Sequence, residues 1–492
     1  MTVLDSLEPQ VVLRLFEQLA NIPRGSTNEA RVAAWVVDYA RERGLEASAD
    51  GVNNVFVRKP GQHGLEQAGA LILHGHLDMV CEKEEGVDID FATDPIRLRV
   101  VGDEITAEGT SLGADNGIGV SYILALLDDR ELPHPPLEVV LTAMEEWGKK
   151  GSAQFDTSRL TGKRMIDFNW ITDREILAGC SGDITFTVDV PGEFEPVPAE
   201  HGIARLLTVR GLMGGHCEFD IQLERANALQ VLARAMIAAA GAADVRFAQP
   251  HGGAQNNAIP ADAQVVLTLA AEDEKAVVEA VGDLQRTLQA EYATAEPKLR
   301  LELGEAPAPE QTFSAGAGLR LARLTSLIPN GVISWSLTVP GIVETSNNVG
   351  TIRGTDEGVR IMSTITSAVT SRKHEVLDRV RSLAALAGGG VRVETYGLDA
   401  PEFPYRPDSP LLATARAAYR DLVGEEAEVH VSQCSLELGM FSRAVSGLDT
   451  ISIGTDLRDL HSVNEAVKHT SVAKVWPLVR EVVSRLGEEN QR

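Results

Sequence analysis

The stretch ALILHGHLDMV, residues 70–80, decides the fold. Its apolar run over residues 70–73 predicts a strand that feeds directly into His76 and Asp78. Two positions apart in extended chain, those side chains face the same way, so an imidazole can bind a metal while a carboxylate orients it from behind. A polar strand end is the plainer alternative for this pair. Working outward, helical spacing covers residues 9–20 and 28–43, the second behind the start signal Ser26-Thr27-Asn28. Apolar runs at 54–58 and 137–143 predict strands, and residues 118–127 a helix after a Gly-rich turn. Such alternation implies an α/β class, with a mixed, mostly parallel sheet between helices and functional groups at the carboxyl ends of its strands.

Beyond Gly182 the texture changes. ITFTVDV, residues 184–190, alternates as a half-exposed antiparallel strand should, and helical patterns follow at 227–240 and 274–290. A strand at 359–366 and a helix at 374–387 repeat the theme. The prolines of residues 401–409 read as a crossover, before a closing helix (411–422), strand (450–453) and helix (473–486). We therefore expect a discontinuous catalytic domain, residues 1–183 and 401–492, with an α+β domain, residues 184–400, inserted in it.

Composition narrows the function. Of 492 residues, 45 are Lys or Arg and 71 Asp or Glu, a net charge of −26 that repels phosphate backbones and anionic membranes. Neither nucleic acid nor membrane is an expected partner. No apolar run approaches the ~20 residues of a spanning helix, and the amphipathic start is not a signal peptide. Cys81, Cys180, Cys217 and Cys434 are widely spaced with no CxxC, which suggests reduced thiols and a cytoplasmic protein.

Two further segments carry chemistry. In GTSLGADNGIGV, Asp115 occupies a Gly-rich turn before a helix, able to approach an ion, or else to serve as an ordinary N-cap. In VVLTAMEEWGKKGS, adjacent Glu145 and Glu146 at a strand end are unfavourable without a cation or shared proton, although a solvated acidic turn is the bland reading. One of the pair suits a ligand and the other a general base. His461, after the strand TISIG, adds a second imidazole. Mixed His and carboxylate donors suit zinc or manganese, and a carboxylate-rich set favours two ions bridged by one Asp. GxSxG is absent, and nothing activates Cys81.

HGHLDMV, GTSLGADNGIG, the EE-x-G turn, GLMGGHCEFDI, NNAIP, ETSNNVG and LHSVNEAV occur in an order that resembles the aminoacyl-histidine (Xaa-His) dipeptidases, of the aminoacylase/carnosinase-type metallopeptidase superfamily. The resemblance runs nearly end to end. It implies a two-metal α/β catalytic domain, an inserted lid domain, a homodimer, and hydrolysis of dipeptides by water activated beside Zn2+, with Mn2+ or Co2+ as alternatives. It makes His76, Asp115 (bridging), Glu146 and His461 metal ligands, Glu145 the general base and Asp78 the residue that orients His76. His216 would stabilise the tetrahedral intermediate, and Asn257 would bind substrate.

The pattern departs at several places. Asn169 stands where the resemblance expects an Asp ligand, and Asp167, on the same strand face, is a candidate substitute. A family His is replaced by Gln433, while Glu437 remains, expected to meet a substrate amine. Thr370 replaces an expected Arg, with Arg372 nearby. These changes keep two alternatives open: hydrolysis of another small amide, or a catalytically silent peptide-binding relative. His74, His134 and His63 read as loop-edge or exposed residues.

Overall fold

The computed structural model describes residues 3–489, so residues 1–2 and 490–492 of the expected catalytic domain lie outside the described residues. The chain divides into two compact units. One comprises Met1–Cys180, Glu402–Ser432 and Leu436–Arg492, the other Ser181–Pro401 and Gln433–Ser435.

In the first unit four parallel strands lie in the order Leu137–Thr142, Leu71–His76, Arg164–Trp170, Asp449–Gly454. Antiparallel strands Val55–Lys59 and Glu46–Ala49 extend one side. Every residue of Leu71–His76 and of Leu137–Thr142 is buried, as parallel strands covered on both faces require. Helices Gln10–Ala20, Ala30–Glu42, Ala114–Asp128, Pro410–Val423 and His469–Glu489 supply the cover, and Phe16, Val36, Leu73, Ile123, Ile451 and Val482 belong to one apolar core. The register sets His76 beside Thr142 and Gly454 beside Trp170. The segments following these strands therefore emerge at one edge of the sheet, although they come from both ends of the chain.

The helix Ala114–Asp128 begins earlier than its sequence suggests. It is buried nearly all round, so it lacks the apolar stripe that would have marked its start. Its glycines are packing requirements: a Cβ at Gly119 would fall 2.3 Å from the Phe168 carbonyl oxygen.

The second unit is α+β. From residue 181 the strand Glu175–Pro191 pairs with Gly358–Ser367, which continues through Val343–Thr355, Val245–Gly252, Ala263–Leu269 and Ile203–Arg210 to Arg300–Glu305, all antiparallel. Helices Ala228–Ala242, Glu274–Glu291, Ala315–Leu327 and Thr370–Ala387 share its core. Among the described residues no helix is long and apolar enough to cross a membrane.

His134 corrects its sequence reading. Flanked by Leu and Pro residues, it is fully buried rather than exposed, and its Nδ1 donates to the Pro135 carbonyl at 2.7 Å. Burial pushes its pKa down to about 4, so the folded protein holds it neutral. Its contribution to stability is complete above the unfolded value near 6.5 and is lost as pH falls toward 4. Between pH 6.5 and 4.5 the wild type should lose about 2–3 kcal/mol that a His134→Gln variant does not lose, read from urea midpoints at the two pH values.

Candidate active site

The strand Leu71–His76 delivers His76 to the sheet edge, and Asp78 follows it into the buried interior. Asp78 uses both carboxylate oxygens. Oδ1 accepts the Glu145 backbone N–H at 3.0 Å and lies 3.5 Å from His76 Nδ1. Oδ2 accepts the Glu146 N–H at 3.1 Å and the Ser26 hydroxyl at 2.8 Å. One carboxylate thus orients an imidazole and pins the acidic turn. Burial would raise its pKa, but His76, Ser26 and the Glu145 amide outweigh that and hold it below the usual carboxylate range.

Asp115 lies in the first turn of its helix, where Gly113 and not Asp115 is the N-cap, with non-helical backbone at Asp115 and Asn116 and a cis peptide between them. Its Oδ1 is 3.0 Å from His76 Nε2 and its Oδ2 is 3.5 Å from His461 Nε2. The same His461 nitrogen is 2.8 Å from Glu146 Oε1. Two imidazoles from distant parts of the chain therefore face the two oxygens of one carboxylate. His461 and Met144, which precedes the acidic pair, hold left-handed backbone, with φ of 59° and 52°. Such strain in non-glycine residues costs about 1–2 kcal/mol each and gathers at functional sites.

The donors fit a divalent cation. Ligand atoms of His76, Asp115 and Glu146 all lie within 4.8 Å of one another. Carboxylates outnumber the imidazoles, and the buried Arg24 is committed to backbone, donating to the carbonyls of Leu77, Asp78 and Gly113. Without an ion the groups compensate one another: donation from the His461 ring to the Asp115 and Glu146 carboxylates pushes His461 up to about 10. Burial, with Glu146 and Glu437 adding to it against the pull of His76, pushes Glu145 up to about 8. A buried carboxylate with a raised pKa beside a ligand set is suited to taking up a proton.

Asn169 emerges at the same edge, but its Oδ1 accepts from Asn116 Nδ2 at 2.9 Å. Asn116 also donates to the Phe168 carbonyl and accepts the His76 N–H at 3.2 Å, so one amide clamps two strands. Gly75 makes room for it, since a Cβ there would fall 2.6 Å from Asn116 Oδ1. Asp167, the candidate substitute for Asn169, has partners of its own. It is buried against His74 Nδ1 at 2.7 Å and accepts the Ser452 hydroxyl and the Asn169 N–H. Glu437, expected to meet a substrate amine, is 3% exposed, accepts from Thr142 Oγ1 at 2.5 Å and lies 3.4 Å from His74 Nε2. His74, expected at a loop edge, is the buried centre of this network. The hydrogen bond to Asp167 and the nearby Glu437 carboxylate overcome its burial and push it up to about 9.

His216 and Asn257 belong to the second unit. His216 pairs with Ala258 in a short antiparallel ladder, and the Cys217 N–H donates to the Asn257 carbonyl at 2.8 Å. His216 is half-buried and Asn257 exposed, and burial lowers the His216 pKa so that its imidazole is neutral near pH 7.

Sequence reasoning missed the residues that hold the loops. Glu465, buried, accepts the N–H groups of Leu112, Gly113 and Asp115 at 2.8, 2.9 and 3.2 Å. Glu29 accepts from Thr27 and Met144, on the other side of the acidic pair. The only signal was position: Glu465 is four residues beyond His461, and Arg24 and Glu29 flank the Ser26 start signal. Removing Glu465 leaves three amides unpaired in the loop that carries Asp115. Glu465→Ala should cost on the order of 3 kcal/mol in urea unfolding and weaken zinc or manganese binding about 10–100-fold by calorimetric titration.

A model of "Peptidase family M20/M25/M40" matches residues 72–485. The chain is 34% identical over 489 residues to the cytosol non-specific dipeptidase of Escherichia coli (strain K12), covering 99% of each. It superposes on the crystal structure of an aminoacylhistidine dipeptidase from Vibrio alginolyticus with a TM-score of 0.89 and 32% identity, over 98% of each chain. Aminopeptidase PepT from Bacillus cereus ATCC 10987, at 14% identity and a TM-score of 0.57 over 98% of this chain and 99% of that one, shares the fold. The end-to-end match and the converging His and carboxylate groups agree: this chain belongs to peptidase family M20/M25/M40.

Proposed function

We propose that the chain is a metal-dependent dipeptidase acting on small peptides, Xaa-His dipeptides among them. The observation that carries this reading is the pair of imidazoles, His76 and His461, facing opposite oxygens of Asp115 beside the buried Glu145. The dipeptidase relatives, similar over nearly the whole chain, support the substrate class.

In this reading His76, Asp115, Glu146 and His461 hold divalent cations, zinc first among them by donor chemistry. Bound there, the cations would polarise the scissile carbonyl and make a neighbouring water acidic enough to ionise near neutrality. The chain supplies the rest. Glu145 accepts the proton of the attacking water on its carboxylate and returns it to the leaving amine. Asp78 keeps the His76 ring and the Glu145 backbone in register for that transfer. His216 and Asn257 serve as uncharged donors to the substrate's carbonyl and amide groups. The resemblance also supports a lid role for the inserted domain, a homodimer and a cytoplasmic location.

Asn169 stands where the resemblance expects an Asp ligand. A neutral amide already bonded to Asn116 is a weaker donor than a carboxylate, so the proposal includes unequal loading of two ions. Calorimetric titration of metal-free protein with zinc should show one tight and one weak event, and Asn169→Asp should tighten the weak one about 10–100-fold. Two equally tight ions in the wild type would refute unequal loading.

Glu145→Ala should lower dipeptide turnover about 10²–10⁴-fold while the protein still binds metal. Chelation should abolish turnover, and zinc, manganese or cobalt should restore it. Binding of dipeptides without turnover under every metal would instead favour the silent relative.

A further inference from the structure

Beside the ligand cluster lies a second feature of the first unit, a cavity of about 410 Å³ walled by Met79, Val80, Cys81, Phe91, Ala92 and Glu146. Gly25, Ser26 and Asn28 complete its lining, so five of nine lining residues carry an apolar side chain or a thiol, and burial keeps Cys81 protonated by pushing it up to about 11. Glu146, the one charged residue of the lining, is 2.8 Å from His461 and belongs to the cluster able to hold a metal, so the cavity adjoins that cluster.

The walls are built in advance. Past Asp78 the chain forms a parallel bridge from Met79 to Gly25, the Met79 N–H donates to the Arg24 carbonyl at 3.1 Å, and the Met79 carbonyl accepts the Ser26 N–H. A side chain at residue 25 would place its Cβ 2.7 Å from Cys81 Sγ, so the glycine gives Cys81 its place in the wall. The Val80 carbonyl accepts the Ser111 hydroxyl at 2.7 Å. On the facing side the Ala92 carbonyl accepts from Asn28 and from the Arg31 guanidinium, which is itself not part of the wall. An apolar recess with a fixed outline discriminates by shape and by the cost of burying charge.

Charge decides which end of a dipeptide enters. None of the described residues lining the cavity is cationic, and one is anionic. A residue carrying a free α-carboxylate would find no cationic side chain to pair with among those lining residues. We propose that this cavity receives the side chain of the substrate's N-terminal residue and selects aliphatic and thioether side chains over acidic ones. This inference rests on the dipeptidase reading.

The test is steady-state kinetics of the zinc-loaded full chain on Leu-Gly, Met-Gly, Gly-Gly, Asp-Gly, Lys-Gly and Gly-Leu. The wild type should prefer Leu-Gly and Met-Gly to Asp-Gly by at least about tenfold in kcat/KM. Val80→Trp, which fills the recess, should lower the ratio of Leu-Gly to Gly-Gly about tenfold. Phe91→Asp should raise the ratio of Lys-Gly to Leu-Gly by a similar factor, mainly through KM. Ala92→Asp places the same charge from an exposed position, and thermal melting of each variant checks folding. Dipeptide hydrolysis whose ratios do not move in any folded variant would overturn the proposal and leave the dipeptidase reading standing. Changes confined to Gly-Leu would overturn it by assigning the cavity to the C-terminal residue. No dipeptide hydrolysis at all would remove both.

Discussion

A single buried carboxylate underlies the site. Asp78 accepts the two consecutive amides of Glu145 and Glu146 and the Ser26 hydroxyl, and stands behind the His76 ring. Each contact alone is modest, but a buried anion must be satisfied throughout or its desolvation is uncompensated. That requirement couples three segments: the end of the strand Leu71–His76, the acidic turn after Leu137–Thr142, and the Ser26 region. None can shift without exposing the others' unpaired groups. The imidazole and the two glutamates are held in mutual register as a result.

The cluster is also anion-rich, which suits it to a cation. Asp115, Glu145 and Glu146 converge at one edge of a sheet, with Glu437 and Glu465 buried behind them. Arg24 sits among these charges, yet its hydrogen bonds are spent on carbonyl oxygens. Its part is to join the chain around Asp78 to the loop that carries Asp115, as Glu465 does from the other side by collecting the loop's amides. The opposite signs of these two residues match the two polarities of an exposed loop backbone: the cation takes carbonyls and the anion takes N–H groups. The loop is thereby rigid enough to present Asp115 to two imidazoles at once.

Asn169 is held in a comparable way. Its amide is bonded to Asn116, which spans the same two strands and fixes the shape of that edge.

Much was legible locally. The strand before His76 and the helices at each end follow from periodicity, and the acidic pair, the Gly-rich turn and the two histidines stand out because each is awkward for an ordinary strand end or turn. The parallel edge that unites them follows from strand–helix alternation. Tertiary structure alone decided the partners. His74 and Asp167 share a register position on neighbouring strands, Glu437 reaches Thr142 beside them from nearly 300 residues later, and Glu465 holds a loop some 350 residues earlier. Residue pattern encodes which groups a segment buries and which way its backbone runs, because those depend on the neighbours in the chain. Whether a carboxylate ends against an imidazole, a row of amides or a cation depends on strand order and register, and these arise only when the segments pack.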